Sequence, residues 1–401
     1  MNTATNSASD VDQFEFSPSL GGPLFQLYVR SHLSGDRLEL LARRVVVICT
    51  IAWAPLLILA FVDRHASAAT GAFPFWFDVE VNVKLLIALP ALILAEVYVH
   101  ERTTPLARQF LDCHLIAPED VPKYKSAVTS ALRGRDSILL EVVELALVYT
   151  LGLWIWRSEM AFLHPTWYAV PDGSHLRLTA AGYWLVFVSV PIVQFMLLRW
   201  YVRLCIWNWL LWKISRLNLK LVASNPDRAG GLGFISISAL AFAPLLFAQV
   251  CMLSGAIANR VMYEGQNLMS FKKDAIILVV FLIALVVGPL LMFMGKLDCS
   301  KRKGLLEYGL LASKYVQGFE AKWIRPGTTN SDDLLGTADI QSLADLGNSC
   351  GFVRDMQLVP FSLHDIVRLV VVTVLPLVPL GLLIMPPAVL VKQLFKLLFQ
   401  L

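Results

Sequence analysis

The stretch DAIILVVFLIALVVGPLLMFMGK, residues 274–296, decides the fold class. Between its first and last residues it runs without a single charged side chain. About 20 mostly apolar residues suffice to cross the hydrocarbon core of a bilayer. Because a backbone in lipid has to satisfy its own hydrogen bonds, we expect this stretch to be a transmembrane helix.

The rest of the chain repeats this pattern. Of its 401 residues, 57% are hydrophobic and only 16% are charged, whereas a globular domain carries roughly a quarter charged residues. The sequence therefore predicts an all-α, polytopic transmembrane helix bundle of about seven spans, with the lipid bilayer as its main partner. The further apolar runs lie near residues 43–62, 82–100, 137–157, 182–204, 236–259 and 367–387.

The basic residues are divided unequally between the two sets of connecting segments. Segments on one side hold 25 of the 34 Lys and Arg residues, and those on the other side hold nine. Since basic loops stay in the cytoplasm, this bias predicts a multi-pass membrane protein with a cytoplasmic N-terminus. The last span contains Pro376, Pro379, Pro386 and Pro387, and a hairpin that returns to the cytoplasm is the alternative to a seventh crossing.

The run 182–221 is too long for a single crossing, so we expect its second half to leave the membrane and lie near the inner interface. The segment 297–366 has helical periodicity and predicts a small helical subdomain under the bundle. The expected parts are a polar cytoplasmic N-terminal segment (1–42), spans one to six (43–296), the cytoplasmic helical segment (297–366), and a last span or hairpin with an amphipathic tail (367–401).

Charged residues lie at similar depth on three consecutive spans, at their cytoplasmic ends. Intramembrane charge costs several kcal/mol unless it is paired or hydrated, so these side chains are expected to face the bundle interior or the interface. Two interpretations stay open: a water-filled acidic vestibule for cations or protons, and a set of structural ion pairs. The residues are Glu96, His100, Glu141, Glu144, Arg199 and Arg203.

The segment NPDRAGGLGF, residues 225–234, precedes an apolar run. A glycine-rich turn that leads into a helix presents free N–H groups, which suit an anion, and Arg228 adds a matching charge. The alternative is a structural turn in which Asp227 caps the helix and pairs with Arg228. The candidate anion-binding residues are Asp227, Arg228, Gly230, Gly231 and Gly233.

This turn, together with GTADIQSLADL at 336–346, resembles uncharacterised multi-pass inner-membrane proteins of bacteria. The resemblance extends from about residue 160 onward. It implies a membrane bundle, and it implies no activity and no site residues.

Other chemistry has little support in the sequence. The six cysteines lie far apart, no nucleophile motif is present, and neither a cofactor nor a metal is expected. The aspartates Asp332, Asp333, Asp339 and Asp345 do not match a calcium loop, and His164 and His175 are weak ligand candidates. The scattered basic residues lack the clustered face that nucleic acid requires.

The leading hypothesis is therefore a small-ion channel or transporter, homo-oligomeric and without enzymatic activity. A membrane-embedded regulatory or assembly protein that recruits a cytosolic partner through 297–366 is the first alternative. An enzyme acting on lipid head groups, with the glycine turn and Arg228 on a phosphate, is the second.

Overall fold

A computed structural model describes residues 16–19, 21–31, 40–62, 74–155, 166–172, 175–325 and 338–381. The described chain is an all-α helix bundle, and seven of its helices are long and apolar enough to cross a membrane. These helices coincide with the seven predicted runs, so the predicted fold class is confirmed.

The helices are numbered here in chain order, and α2, α3, α5, α6, α7, α8 and α10 are the spans. The first five are α1 (Pro23–Arg30), α2 (Leu41–Val62), α3 (Val79–Asp112), α4 (Val121–Arg135) and α5 (Ile138–Ile155). The others are α6 (Ala180–Ser215), α7 (Gly233–Tyr263), α8 (Leu268–Ile324), α9 (Asp339–Asp355) and α10 (Leu363–Leu380). Short 3₁₀ turns occur at Phe75–Phe77 and Pro118–Asp120.

The spans differ in how deeply they lie in the bundle. Of the 18-residue apolar stretch in α7, 61% is buried inside the bundle, whereas the corresponding share is 11% in α2 and in α5. Helix α7 packs against α3, and its small residues allow close approach, as at Gly255, where a Cβ would lie 3.1 Å from Glu80 Cα. Helices α2 and α5 therefore expose apolar side chains such as Phe61 and Leu139, which suit lipid contact.

Three neighbouring spans contain a π-helical turn. The turns occupy Lys84–Ala88 in α3, Val148–Gly152 in α5 and Leu185–Ser189 in α6. Such turns insert an extra residue into an α-helix and occur often at functional sites. The same three helices carry the residues of the predicted charge cluster.

The run after residue 204 is continuous with span four, and its position near the inner interface stays a prediction. Helix α6 continues without a break to Ser215, because Trp207, Leu210 and Ile214 are buried against the bundle. Trp209 and Trp212 face outward, and Lys213 Nζ lies 5.4 and 5.0 Å from their ring centroids.

The segment after span six is a continuation of that span. Helix α8 runs for 57 residues to Ile324, and α9 packs back along its far half. Ile324, Ile340, Leu343 and Leu346 belong to this hairpin, whereas Leu334 and Leu335 lie outside the described residues. The division of the chain at residue 297 stays a prediction.

Helix α10 begins with a capping box between Ser362 and Asp365 and ends as a 3₁₀ turn at Leu375–Leu380, where Pro376 and Pro379 prevent regular α-helical hydrogen bonding. Pro386, Pro387 and the amphipathic tail lie outside the described residues. A two-stranded antiparallel hairpin, β1 (Ala169–Asp172) and β2 (His175–Leu178), lies between α5 and α6 and was not expected from the sequence.

Candidate functional site

Glu96 lies inside the bundle on α3 and is held between two arginines. Arg44 Nη2 of α2 lies 2.8 Å from Glu96 Oε2, and Arg203 Nη1 of α6 donates to Glu96 Oε1 at 2.9 Å. Glu96 is 2% exposed and Arg44 is 1% exposed. A buried carboxylate of this kind is tolerated only when it is paired, so Glu96 is a structural partner of both guanidinium groups.

A second pair lies beside the first. Arg199, one turn before Arg203 on α6, places Nη2 3.5 Å from Glu141 Oε1 on α5. Glu144 follows one turn later and is buried, yet its Oε2 atom has no hydrogen-bond partner among the residues that the structure describes. The same holds within the described chain for Arg199 Nη1 and for the three guanidinium nitrogens of Arg44, whose approach to Glu96 is an ion pair without hydrogen-bond geometry. Glu144 is thus the carboxylate of this group with unused hydrogen-bonding capacity.

These residues form one site, which we call the inner cluster. It consists of Arg44, Glu96, Glu141, Glu144, Arg199 and Arg203. The structure therefore brings together five of the six residues predicted for the vestibule and adds Arg44. The two arginines at the start of span one, in LARRVVV, were the sequence signal for Arg44.

The N-terminal part of the chain covers the inner cluster. The carbonyl of Ser19 accepts from Arg203 Nη2 at 3.3 Å, and the carbonyl of Gly21 accepts from Arg199 Nη2 at 3.3 Å. The backbone N–H of Leu24 donates to Glu141 Oε2 at 2.9 Å. Tyr28 lies over Arg44, with 5.1 Å between the guanidinium carbon and the ring centroid. Burial and the neighbouring Glu96 raise the pKa of Tyr28 to about 12, so its hydroxyl stays neutral.

His100 contacts the cover of the site. Its Nδ1 atom lies 2.8 Å from Ser17 Oγ and 3.1 Å from Thr104 Oγ1. Arg135 of α4 donates to the carbonyl of Ser17 and pairs with Asp136. The segment FSPSLGGPLFQLYV carries neither charge nor strong periodicity, and so nothing in it predicted a docking position.

An apolar layer lies beyond the inner cluster toward the other end of α3. Its side chains Leu85, Ala88, Leu89 and Leu92 are at most 1% exposed. Trp200 of α6 donates from Nε1 to the carbonyl of Leu92 at 2.8 Å and packs against Phe242 of α7. In this conformation the inner cluster is therefore closed on both sides.

A second polar site, the outer cluster, lies at the other end of α3 and was not predicted. It comprises Asp78, Trp167 and Asn259. Asp78 is 2% exposed and accepts from Trp167 Nε1 at 2.8 Å, Asn259 Nδ2 at 2.8 Å and the N–H of Val81 at 3.0 Å. Burial raises the pKa of Asp78, although these three donors favour its charged form. The one sequence signal was an acid directly after the aromatic run FPFWF.

A cavity of about 50 Å³ adjoins the outer cluster. Its lining includes Asp78, Tyr168 and the ion pair of Lys84 with Glu80, whose Nζ–Oε1 distance is 3.0 Å. Burial raises the pKa of Tyr168. The outer cluster thus ties the turn before β1, α3 and α7 together through hydrogen bonds to one carboxylate.

In the glycine turn at 225–234, the carboxylate of Asp227 occupies the position that a bound anion would take. The carboxylate of Asp227 accepts from the N–H groups of Ala229, Gly231 and Gly233 at 2.9 to 3.1 Å, so the donors that a bound anion would need face Asp227. Gly231 adopts φ +97°, a conformation that favours glycine. Among the described contacts Asp227 forms no ion pair with Arg228, whose side chain is exposed. Anion binding at this turn stays a prediction.

The turn also anchors the α8–α9 hairpin. The carbonyl of Arg228, a residue with φ +56°, accepts from the N–H of Gln357 at 2.7 Å. A Cβ at Gly230, whose φ is +64°, would lie 3.0 Å from Met356 Cε. Tyr308 of α8 donates to Ser224 Oγ at 2.7 Å.

The remaining candidates form no common site. Asp339 accepts from Lys322 Nζ at 2.8 Å and Trp323 Nε1 at 3.0 Å, and Asp345 accepts from Gln341. Asp332, Asp333, His164 and the side chain of His175 lie outside what the structure describes. No group of three His, Cys, Asp or Glu residues that could hold a metal occurs in the described part of the chain.

The chain matches no model of a protein family, no curated protein and no solved structure. The resemblance to bacterial inner-membrane proteins stays a prediction, and the function has to be argued from the site itself.

Proposed function

We propose that this integral membrane protein is a channel or transporter for small ions, with Glu141 and Glu144 as the ion-binding carboxylates of its inner vestibule. Glu144 carries the proposal. It is a buried carboxylate within a span, and its Oε2 atom is without a hydrogen-bond partner in the described structure. Such a group is costly in a membrane, and ionisable residues retained there mark ion and proton pathways.

The inner cluster supports this division of roles. Glu96 is matched by two arginines and serves the structure, whereas Glu141 has one arginine, Arg199, at ion-pair distance among the described residues. Glu141 also accepts from the N–H of Leu24 and lies one turn from Glu144. Residues three apart lie on one helix face, so both carboxylates can act on one cation or proton. The closed apolar layer implies that transport needs a second conformation.

The test is ion flux into liposomes that contain the purified protein. We expect the Glu141→Gln, Glu144→Gln double variant to stay folded and to lose flux of sodium, potassium or protons. The matched control is Glu119→Gln, which removes an exposed carboxylate and should conduct like the wild type. A double variant that conducts normally, or a wild-type protein that never conducts, contradicts the proposal.

A stability measurement separates this function from a purely structural cluster. If Glu144 has only a structural role, Glu144→Gln should leave ion flux unchanged, whether or not the thermal unfolding midpoint changes. Under the proposal, flux is lost while the midpoint of Glu144→Gln changes little, because Gln keeps the shape and removes only an unmatched charge.

The proposal places the inner cluster on the cytoplasmic side of a bacterial inner membrane. The basic-residue bias supports this orientation. Single-cysteine labelling should find the exposed positions 118, 119, 122, 123, 321, 324 and 325 accessible only from the cytoplasm, and the exposed position 177 only from outside. Labelling of positions 321, 324 or 325 from outside contradicts the orientation.

A second candidate function follows from the α8–α9 hairpin. Leu306 and Leu310 are 70% and 65% exposed on the part of α8 that continues past the span. Exposed leucines one turn apart are typical of a helix that meets a partner, either a cytosolic protein or another copy of the chain. Leu306→Asp with Leu310→Asp should abolish cross-linking to such a partner and leave flux unchanged. Unchanged cross-linking contradicts this second function.

A further inference from the structure

We infer that residues 16–19 and 21–31 form an intramolecular plug that closes the inner cluster and has to leave for the cluster to be reached from the adjoining solution. This inference rests on the proposed function for the transport that the plug would control. The docked position itself rests on the contacts below.

The plug meets the inner cluster mainly through its backbone. Carbonyl groups of Ser19 and Gly21 accept from Arg203 and Arg199, and the N–H of Leu24 donates to Glu141. These carbonyl acceptors and this N–H donor form the same kinds of hydrogen bond that water molecules would form with the cluster in a hydrated vestibule. Water can therefore replace the plug without leaving a buried charge unpaired.

The plug carries almost no charge. Between Phe16 and Ser31 the sequence contains one charged residue, Arg30, at the end of α1. Withdrawal of the plug therefore leaves the charge balance of the inner cluster nearly unchanged. The docked and undocked states differ in hydration of the cluster, which is what a gate at a vestibule has to change.

Two aromatic side chains hold the plug in place. Phe16 is 1% exposed, and its ring centroid lies 5.7 Å from that of Trp207. Tyr28 is 6% exposed and stacks on Arg44. Each end of the plug thus has one buried anchor, and the polar contacts lie between them.

The two glycines between these anchors show how tightly the plug fits. Gly21 has φ +135°, and a Cβ there would collide with both Arg135 Nη2 and Asp136 Oδ1. Gly22 has φ +90°, and a Cβ there would lie 2.8 Å from Glu141 Oε1. A side chain at either position strains the backbone and collides with charged groups, so substitution should release the plug without altering the bundle.

The reporter for docking is Ser19→Cys in a cysteine-free protein. Ser19 is 1% exposed, and its hydroxyl has no partner among the described residues, so the change removes no contact. A membrane-impermeant maleimide applied to inside-out vesicles should label the introduced thiol slowly. Adding Gly21→Val should raise the labelling rate at least tenfold, and flux should rise with it.

The matched control is Gly309→Val, because nothing lies within 4 Å of a Cβ at that exposed glycine of α8. It should change neither labelling nor flux. Gly22→Ala is a milder second variant, to be used if the Gly21→Val protein aggregates, and it should act in the same direction.

The outcomes separate the plug from the proposed function. Equal labelling of the thiol at position 19 with and without the glycine substitutions overturns the plug, whatever the flux. Faster labelling with an unchanged, measurable flux overturns its role as a gate. Faster labelling with no flux in any protein overturns the proposed function and the gate with it, and leaves only a docked segment.

Discussion

The two ends of α3 each bury a carboxylate, and they stabilise it in different ways. Glu96 in the inner cluster is 2% exposed and has two guanidinium groups at 2.8 and 2.9 Å. Asp78 in the outer cluster is equally buried, but its partners are the neutral N–H donors of Trp167, Asn259 and Val81. One site balances charge with charge, and the other stabilises a carboxylate with dipoles.

This difference sets what each site tolerates. Removing a charge from an ion-paired group leaves opposite charges buried without a partner. Removing it from a group held by neutral donors leaves only one mismatched hydrogen bond. The inner cluster should therefore be sensitive to the sign of its charges, and the outer cluster to the geometry of its donors.

The largest effect is expected for Glu96→Gln. The change leaves Arg44 and Arg203 without their carboxylate, and we expect the free energy of unfolding to fall by about 3–5 kcal/mol. The loss should appear as a lower thermal unfolding midpoint in detergent. Adding Arg203→Gln should recover part of the loss. The control Glu101→Gln, an exposed carboxylate on the same helix, should change little. A Glu96→Gln protein as stable as the wild type would show that the pairing does not stabilise the bundle.

A smaller loss is expected for Asp78→Asn. The amide keeps one acceptor oxygen and turns an NH₂ group toward one of the three donors, which should cost about 1–3 kcal/mol. The same melting experiment checks it, with Glu101→Gln, an exposed carboxylate on α3, as the control. If Asp78→Asn costs more than Glu96→Gln, the contrast between the two ends of α3 is wrong.

Asp227 tests whether dipole stabilisation is weaker in an exposed turn than in a buried site. Its carboxylate also accepts only backbone N–H groups, but it lies in an exposed turn. We expect Asp227→Ala to cost about 0.5–2 kcal/mol, the usual cost of losing a cap. Asp227→Asn should recover some of this loss, and no recovery would mean that the carboxylate charge, rather than its shape, holds the turn.

The smallest effect is a dependence on pH at the outer cluster. Because burial raises the pKa of Asp78 above its ordinary value of 3.8, the folded protein binds a proton more readily than the unfolded chain. Protonation of Asp78 therefore contributes to the free energy of unfolding. This contribution is fully present below pH 3.8 and is lost as the pH rises through the raised pKa. The difference in unfolding midpoint between the wild type and Asp78→Asn should therefore shift in favour of the wild type as the pH falls from neutral to the ordinary value of 3.8. A constant difference contradicts the raised pKa.

The spans were readable from the sequence because lipid imposes length and hydropathy on each one independently. The charges of the inner cluster were readable for a similar reason, since Glu96, Glu141 and Arg203 stand out in apolar runs. The partner of a given charge was not readable, because Arg44 and Glu96 meet only through the packing of α2 on α3. The same applies to Asp78, whose partner Trp167 comes from a loop of little periodicity.

The packing of α6 past residue 204 could not be predicted either. Its tryptophans and basic residues are what an interfacial helix contains, and the burial of Trp207 and Ile214 against the bundle depends on tertiary contacts. Docking of the N-terminal residues was the hardest to foresee, since backbone carbonyls form the contacts and every sequence has them.

The hydrogen bond between Arg203 and the carbonyl of Ser19 joins residues 184 positions apart in the chain. At a synthesis rate of about 5–20 residues per second, the ribosome needs roughly 10–40 s between the two. During that interval the first three spans enter the membrane with Glu96, Glu141 and Glu144 lacking both arginines of α6. Insertion of α6 then brings the arginines that pair with these carboxylates and bind the N-terminal residues. We therefore expect membrane insertion to stay incomplete in nascent chains that end before residue 203.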